Sequence, residues 1–256
     1  MNLQRFIDAK RDELAALRRH MPEPRLAARP DFLAALQAPP AAGHPLHVVA
    51  EFKRSSPSAG VINDRLTPAE TAQQYAAGGA SCMSVLTEER YFSGHTRDLD
   101  AAAPAGLPLL RKDFIFSELQ VRQTFATPAS ALLLIVALTP DAAQLRALRE
   151  LAESRGIHAV VEIFTERELE LARESGARII QVNARNLETF RTDREEGLKL
   201  AVHRQPGECW IAASAMSRRP HLEAAAAAGY QAALVGTALM QGSSPLSSLQ
   251  RLLLRS

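Results

Sequence analysis

Short runs of apolar residues recur along the chain, separated by longer stretches whose apolar residues repeat at helical spacing. Several runs are apolar at consecutive positions, as expected for strands that are covered on both faces. The predicted strands are His47–Phe52, Ser81–Leu86, Leu107–Lys112, Ala131–Ala137, His158–Ile163, Arg178–Asn183, Cys209–Ala213 and Ala232–Gly236. Alternation of strand and helix predicts a parallel sheet, and eight repeats favour an α/β fold of the (β/α)8 (TIM) barrel type.

The stretches between the strands carry signals for helix starts and ends. Proline in a first helical turn predicts starts at Thr67-Pro68, Thr139-Pro140 and Ser244-Pro245. Glycines predict helix ends at Gly156, Gly176 and Gly229. An open doubly wound sheet, the alternative for this order of elements, typically has a G-x-G-x-x-G turn after its first strand, and the sequence lacks that motif.

The first 46 residues precede the first predicted strand. Leu3–Arg19 is predicted to form an amphipathic helix and Arg29–Gln37 a shorter one, followed by the Pro- and Ala-rich linker Ala38–Pro45. We therefore expect a single domain over 1–256, with a helical extension over 1–46 and the barrel over 47–256.

Composition narrows the class of partner. The net charge is +2 without blocks of like charge, which argues against nucleic acid and anionic membranes. The apolar run 129–138 is too short to span a bilayer, and the first twenty residues do not resemble a secretion signal. Cys82 and Cys209 are expected to be reduced thiols, and the histidines show no metal spacing. We expect a cytoplasmic protein that is a monomer or a weak homo-oligomer and holds no metal.

Polar residues stand at the carboxyl ends of predicted strands, where barrels place their active sites. Glu51 and Lys53 are two apart and share one strand face, although a surface ion pair worth under about 1 kcal/mol is the alternative interpretation. Lys112, Glu162 and Asn183 end three further strands. Because buried charges are costly unless they are paired, such a group predicts proton donors and acceptors of an enzyme.

Six ordered motifs resemble those of the indole-3-glycerol phosphate synthase family. They are Val49–Ser58, Leu86–Gly94, Leu110–Phe114, Val161-Glu162, Asn183-x-Arg185-Asn186-Leu187-x-Thr189 and Leu234–Met240. The resemblance implies closure of a pyrrole ring on the phosphorylated substrate 1-(2-carboxyphenylamino)-1-deoxyribulose 5-phosphate. Carbon dioxide and water are lost, no cofactor is needed, and the reaction belongs to tryptophan biosynthesis.

The same resemblance implies catalytic roles. Lys112 is the general acid for ring closure, and Glu162 acts in the later proton transfers. Lys53 faces the substrate carboxylate and donates during dehydration. Glu51 and Asn183 orient the substrate and the lysines.

Binding roles are implied as well. The phosphate contacts are expected from Ser56, Ser214, Ala215, Gly236 and Thr237. Phe92 and Phe114 are expected to line the slot for the anthranilate ring, and each has a plain core position as its alternative interpretation. Arg185 is expected to support the site by pairing with a carboxylate.

The chain departs from the family pattern at two strand ends. The family usually has Ser-Glu-Ser-Gly after strand seven, where this chain has Ala212–Ala215, so the carboxylate is replaced by Ala213. Glu208 lies roughly 16 Å back along an extended strand and cannot replace it. On strand six, Gln181 stands where the family usually has glycine, and its parity predicts an inward side chain that partly fills the space at Ala213.

Three interpretations follow. The first is a working enzyme of this family. The second, which the loss at Ala213 sustains, is a divergent paralogue acting on a related anthranilate-type or sugar phosphate. The third is a low-activity barrel that serves as a pathway interaction partner, against which the retained polar residues argue.

Overall fold

Eight parallel strands form a closed barrel in the part of the chain that the computed structural model describes, namely residues 3–184, 193–242 and 244–254. The strands are β1 His47–Phe52, β2 Cys82–Leu86, β3 Leu109–Ile115, β4 Ala131–Ile135, β5 His158–Ile163, β6 Ile179–Asn183, β7 Cys209–Ala213 and β8 Ala232–Val235. Each strand pairs with its neighbours in chain order, and β8 closes the ring against β1. The predicted barrel is therefore confirmed.

Strand bounds differ from the prediction by one residue at β2, β6 and β8 and by more at β3 and β4. β3 begins at Leu109 because Pro108 has no N–H to donate, and it continues through Lys112 to Ile115. β4 ends at Ile135, where the chain turns into the short 3₁₀ helix Val136–Leu138. After β1, the two-residue strands Ser55–Ser56 and Gly60–Val61 form a small antiparallel hairpin.

Helices connect the strands around the outside of the barrel. Their ranges are Pro68–Ala77, Glu89–Phe92, Arg97–Ala102, Glu118–Phe125, Ala142–Glu153, Glu166–Glu174, Arg194–Lys199, Arg219–Ala227, Thr237–Met240 and Pro245–Leu253. The further 3₁₀ helices are Ala103–Ala105 and Leu200–His203. Within the described ranges, no helix has the length and apolar character needed to cross a membrane.

Helix ends follow local chemistry. Thr67 and Glu70 form a reciprocal capping box, and Ser244 caps the last helix, as predicted. The predicted start at Thr139-Pro140 is wrong by two residues, because the Asp141 carboxylate accepts from the Gln144 N–H and fixes the start there. The glycines at the predicted helix ends, Gly156, Gly176 and Gly229, all have positive φ.

The N-terminal extension differs from the prediction. Leu3–Arg19 is not one helix but two, Gln4–Ala9 and Arg11–Arg19, with a break at Lys10, whose side chain is buried. The next helix is Phe32–Gln37 rather than Arg29–Gln37, because Pro30 disfavours a helical Arg29 and Asp31 caps the helix.

Strand parity sets the direction of the side chains. Val49, Leu110 and Ile211 belong to the apolar cluster inside the barrel, whereas Val48 and Trp210 pack between strands and helices. Because residues two apart share a strand face, Val49 fixes an inward direction for the polar residues that follow it on β1.

Candidate active site

A cavity of about 270 Å³ opens at the carboxyl ends of the barrel strands. Every predicted site residue within the described ranges lines it: Glu51, Lys53, Ser56, Phe92, Lys112, Phe114, Glu162, Asn183, Ser214, Ala215, Gly236 and Thr237. Arg185 lies outside the described residues. The strand ends thus bring residues from distant parts of the sequence to one place.

Glu51 and Lys53 form an ion pair at the mouth of the barrel, with Lys53 Nζ 2.8 Å from Glu51 Oε1. Glu51 is only 3% exposed, so the alternative of a surface pair is wrong. A Cβ on Gly236 would lie 2.3 Å from Glu51 Oε1. The absence of a side chain at this residue, which directly follows β8, therefore makes room for the carboxylate.

Lys112 extends from β3 into the cavity. Among the residues that the structure describes, its ammonium has neither a hydrogen bond nor an ion-pair partner. Three N–H donors therefore face the cavity, available to an anionic or developing negative oxygen.

Glu162 is the penultimate residue of β5 and is 1% exposed. Its Oε2 accepts a hydrogen bond from Nε2 of Gln181, its register partner on β6. Gln181 therefore points inward, as predicted, but its amide reaches toward β5, on the side of β6 away from β7. That it fills space at Ala213 stays a prediction.

β6 and β7 are joined above the barrel by a polar contact. Ser214 Oγ donates to Asn183 Oδ1 at 2.7 Å, which fixes the amide of Asn183. Ala213, the register partner of Asn183, places only a methyl group in the cavity. Ser214 and Ala215 then turn the chain with φ of 68° and 56°, in the left-handed region.

The β8 end offers backbone donors. Gly236 immediately precedes the one-turn helix Thr237–Met240, and Ala238 also lines the cavity. N–H groups in the first turn of a helix have no partner inside the helix and suit an anion. Ser56 and Ser58, on the hairpin after β1, line the cavity as well.

An aromatic wall bounds one side of the cavity. The ring centroids of Phe92 and Phe114 are 6.1 Å apart, and Phe6 stacks on Phe114 at 4.1 Å. Phe6 comes from the N-terminal extension and is not among the predicted site residues. Its apolar position on the first helix is the signal that pointed to burial, but not to this cavity.

A buried charge network holds the extension to β3. Lys10 Nζ lies 2.5 Å from Asp113 and 2.8 Å from Glu13, and Arg111 Nη2 lies 3.2 Å from Asp113. Burial favours a raised pKa for Asp113, but Lys10 and Arg111 outweigh it and lower the pKa. Asp113 directly follows Lys112 in the sequence. Both Asp113 and Glu88 line the cavity, and neither was predicted as a site residue.

The chain is similar in sequence to a known protein family and to several of its members. The chain matches the family model "Indole-3-glycerol phosphate synthase" over residues 3–252. It is similar to the protein of that name from Micrococcus luteus, at 41% identity over 97% of this chain and 95% of the relative. The one from Burkholderia ambifaria is 38% identical over 98% of both chains. A thiamine phosphate pyrophosphorylase structure from Pyrococcus furiosus has a TM-score of 0.58 at 14% identity, covering 82% of this chain and 94% of that one, a likeness of fold alone.

Proposed function

Because the chain belongs to the indole-3-glycerol phosphate synthase family, we propose that it is a carboxy-lyase that converts 1-(2-carboxyphenylamino)-1-deoxyribulose 5-phosphate to indole-3-glycerol phosphate, carbon dioxide and water in tryptophan biosynthesis. The observation that carries the proposal is the meeting of two lysines and two glutamates, Lys53, Lys112, Glu51 and Glu162, with Asn183 in one cavity.

The first step of this reaction makes a carbon–carbon bond. The ring carbon that carries the carboxylate attacks the ketone carbon, whose oxygen becomes an alkoxide. Lys112, whose ammonium has no partner among the described residues, donates a proton to that oxygen. Loss of carbon dioxide from the same ring carbon then restores the aromatic ring.

The second step expels water. The hydroxyl formed in ring closure leaves with a proton from Lys53, and Glu162 takes the proton released when the pyrrole double bond forms. Glu51 holds Lys53 at 2.8 Å and so fixes its direction. Asn183, fixed by Ser214, orients the substrate from the opposite wall.

Binding groups keep the reacting carbons together, which is where such a reaction gains from proximity. Ser56, Ser214 and the backbone at Ala215 and 236–237 hold the phosphate, with the first N–H groups of the helix after β8 as donors. Phe92 and Phe114 receive the anthranilate ring.

Turnover of the named substrate tests the proposal. Purified protein is mixed with it, and the indole product is followed by fluorescence. Lys112→Ala is expected to lower kcat at least about a hundredfold, as for loss of a general acid. Lys199→Ala, at a lysine that is 72% exposed, is the matched control and leaves kcat unchanged. A wild-type protein without turnover, or a fully active Lys112→Ala variant, contradicts the proposal.

Ala213 favours a second candidate, a divergent enzyme for a related anthranilate-type or sugar phosphate. At the end of β7 the cavity has a methyl group where the family usually has a carboxylate. A panel of such phosphates separates the two candidates, because a higher kcat/KM for another member favours the second. The polar residues that meet in the cavity argue against a barrel that only binds partner proteins.

We also propose that the protein acts in the cytoplasm as a monomer or a weak homo-oligomer. Cys82 and Cys209 are buried free thiols, which suits a reducing compartment. Within the described ranges the exposed large apolar side chains are Leu26, Val61, Val202 and Leu254. Light scattering over a concentration series tests the state of assembly.

A further inference from the structure

Gln181 and Glu162 form a buried side-chain pair beside the cavity, which Glu162 lines. They are register partners on β6 and β5, both point inward, and their exposed fractions are 0% and 1%. Gln181 Nε2 donates to Glu162 Oε2. A hydrogen bond between two such buried groups fixes the carboxyl group of Glu162 in one direction.

The other end of the same amide lacks a partner. Gln181 Oε1 is buried and accepts no hydrogen bond from any described residue. Leaving a buried acceptor unpaired costs about 1–3 kcal/mol. The presence of an amide here therefore needs a reason beyond packing.

A half-turn of the amide supplies that reason. Rotation exchanges Nε2 and Oε1 with almost no change of shape. In one orientation the N–H donates to ionised Glu162. In the other, Oε1 accepts the O–H of protonated Glu162, and Nε2 takes the position that Oε1 held.

The other described carboxylates that line the cavity have cationic or backbone donors as partners. Glu51 pairs with Lys53, and Asp113 pairs with Lys10 and Arg111. Glu88 accepts N–H groups of the helix that it caps, which suits the ionised form alone. The observed partner of Glu162 is a neutral side-chain amide, which can serve both protonation states of the carboxyl group.

We propose that Gln181 is a positioning residue for Glu162, donating to it when it is ionised and accepting from it when it is protonated. This rests on the proposed function, in which Glu162 takes up a proton during dehydration. Since Ala213 contributes no titratable group, Glu162 takes up and releases its proton without a carboxylate neighbour on β7.

Other charged groups near Glu162 also influence its protonation, and the test must leave them unchanged. Lys53 and Glu51 on β1 and Lys112 on β3 share the cavity with it. Glu168, on the helix after β5, is coupled to it electrostatically. None of these is altered by substitutions at residue 181.

The test compares Gln181→Met with Gln181→His. Methionine keeps the length and removes both hydrogen bonds, whereas imidazole can both donate and accept. We expect Gln181→Met to lower kcat about tenfold or more with KM within twofold, because the pair acts on proton transfer and Gln181 does not line the cavity. The acid limb of its kcat–pH profile moves to higher pH, because ionised Glu162 has lost a donor. Gln181→His is expected to recover part of both changes.

The matched control is Ile211→Met, an inward substitution at the register partner of Gln181 on β7, outside the cavity lining. It is expected to leave the pH profile in place. If Gln181→Met keeps the wild-type kcat and pH profile, or if Gln181→His recovers nothing while both variants are folded by circular dichroism, the positioning role is overturned.

A measurement without turnover separates this proposal from the proposed function. Difference infrared spectra between acid and neutral pH contain the C=O band of protonated Glu162, assigned by its loss in Glu162→Gln. In Gln181→Met this band is expected at higher frequency, because the carboxyl group has lost its hydrogen bond. An unchanged band overturns the pairing even if the enzyme is active, and a shifted band supports it even if the proposed substrate is not turned over.

Discussion

Glu51 Oε1 occupies the space that a side chain at residue 236 needs, since a Cβ on Gly236 would lie 2.3 Å from it. The carboxylate and the end of β8 are therefore packed as one unit, although 185 positions separate them in the sequence (236 − 51). Substitutions at residue 236 act on the site through Glu51.

Gly236→Ala is the first prediction. The new methyl group displaces the Glu51 carboxylate and with it Lys53, so kcat/KM falls by about a hundredfold, the cost of a misplacement of about 1 Å. Steady-state kinetics measure the effect. In a Glu51→Ala background the same substitution is expected to have little further effect, and equal losses in both backgrounds would show that Glu51 is not the route.

Ala215→Gly is expected to stabilise the protein. Ala215 has φ of 56°, a conformation that costs a residue with a Cβ about 1 kcal/mol. The free energy of unfolding in urea should rise by that amount. Ala212→Gly, in the buried strand just before it, is the control and is expected to lower the free energy of unfolding.

Ala213→Glu combined with Ala215→Gly restores the family pattern after β7. If the chain acts on the usual substrate, the restored carboxylate is expected to raise kcat above that of Ala215→Gly alone. Fluorescence assays on both variants give the comparison. A lower kcat in the double variant indicates a site adapted to a different phosphate.

Lys10→Met tests the charge network between the extension and β3. Burial disfavours charged Lys10, but Asp113 and Glu13 outweigh it and raise the pKa of Lys10. Removing one partner of a buried ion pair is expected to cost about 3 kcal/mol in unfolding free energy. Lys199→Met, at an exposed pair with Glu196, is the control, with an expected change below about 0.5 kcal/mol.

The stability of the protein is expected to fall as the pH drops through 6.5. Burial, together with Arg194 and Arg218, lowers the pKa of His221 below its usual 6.5. Below pH 6.5 the unfolded chain therefore binds more protons than the folded chain, which favours unfolding. Urea unfolding between pH 7.5 and pH 5 measures the slope, and His221→Gln should reduce it; an unchanged slope in the variant contradicts the assignment.

The positions of the polar residues at the strand ends could be predicted from the sequence, because strand parity and strand order determine them. Parity on β1 places Glu51 and Lys53 on one face, and the order of strands brings Lys112 and Glu162 to the same edge. The predicted site residues that the structure describes all line the cavity for this reason.

Contacts made by the extension could not be predicted in this way. Phe6 and Lys10 reach Phe114 and Asp113 across more than 100 positions, and no periodicity encodes that pairing. The break at Lys10 also overrides a helical pattern that continues through it. The direction of the Gln181 amide depends on Glu162, and a single strand does not reveal its neighbour's side chain.

The stacking of Phe6 on Phe114 has a consequence for protein engineering. A shortened version that keeps residues 47–256 retains every barrel strand but loses Phe6 from the aromatic wall of the cavity. The cavity is therefore completed by a residue that precedes the barrel in the sequence. Designs that graft new specificities onto this scaffold should treat the first helix as part of the pocket to be redesigned.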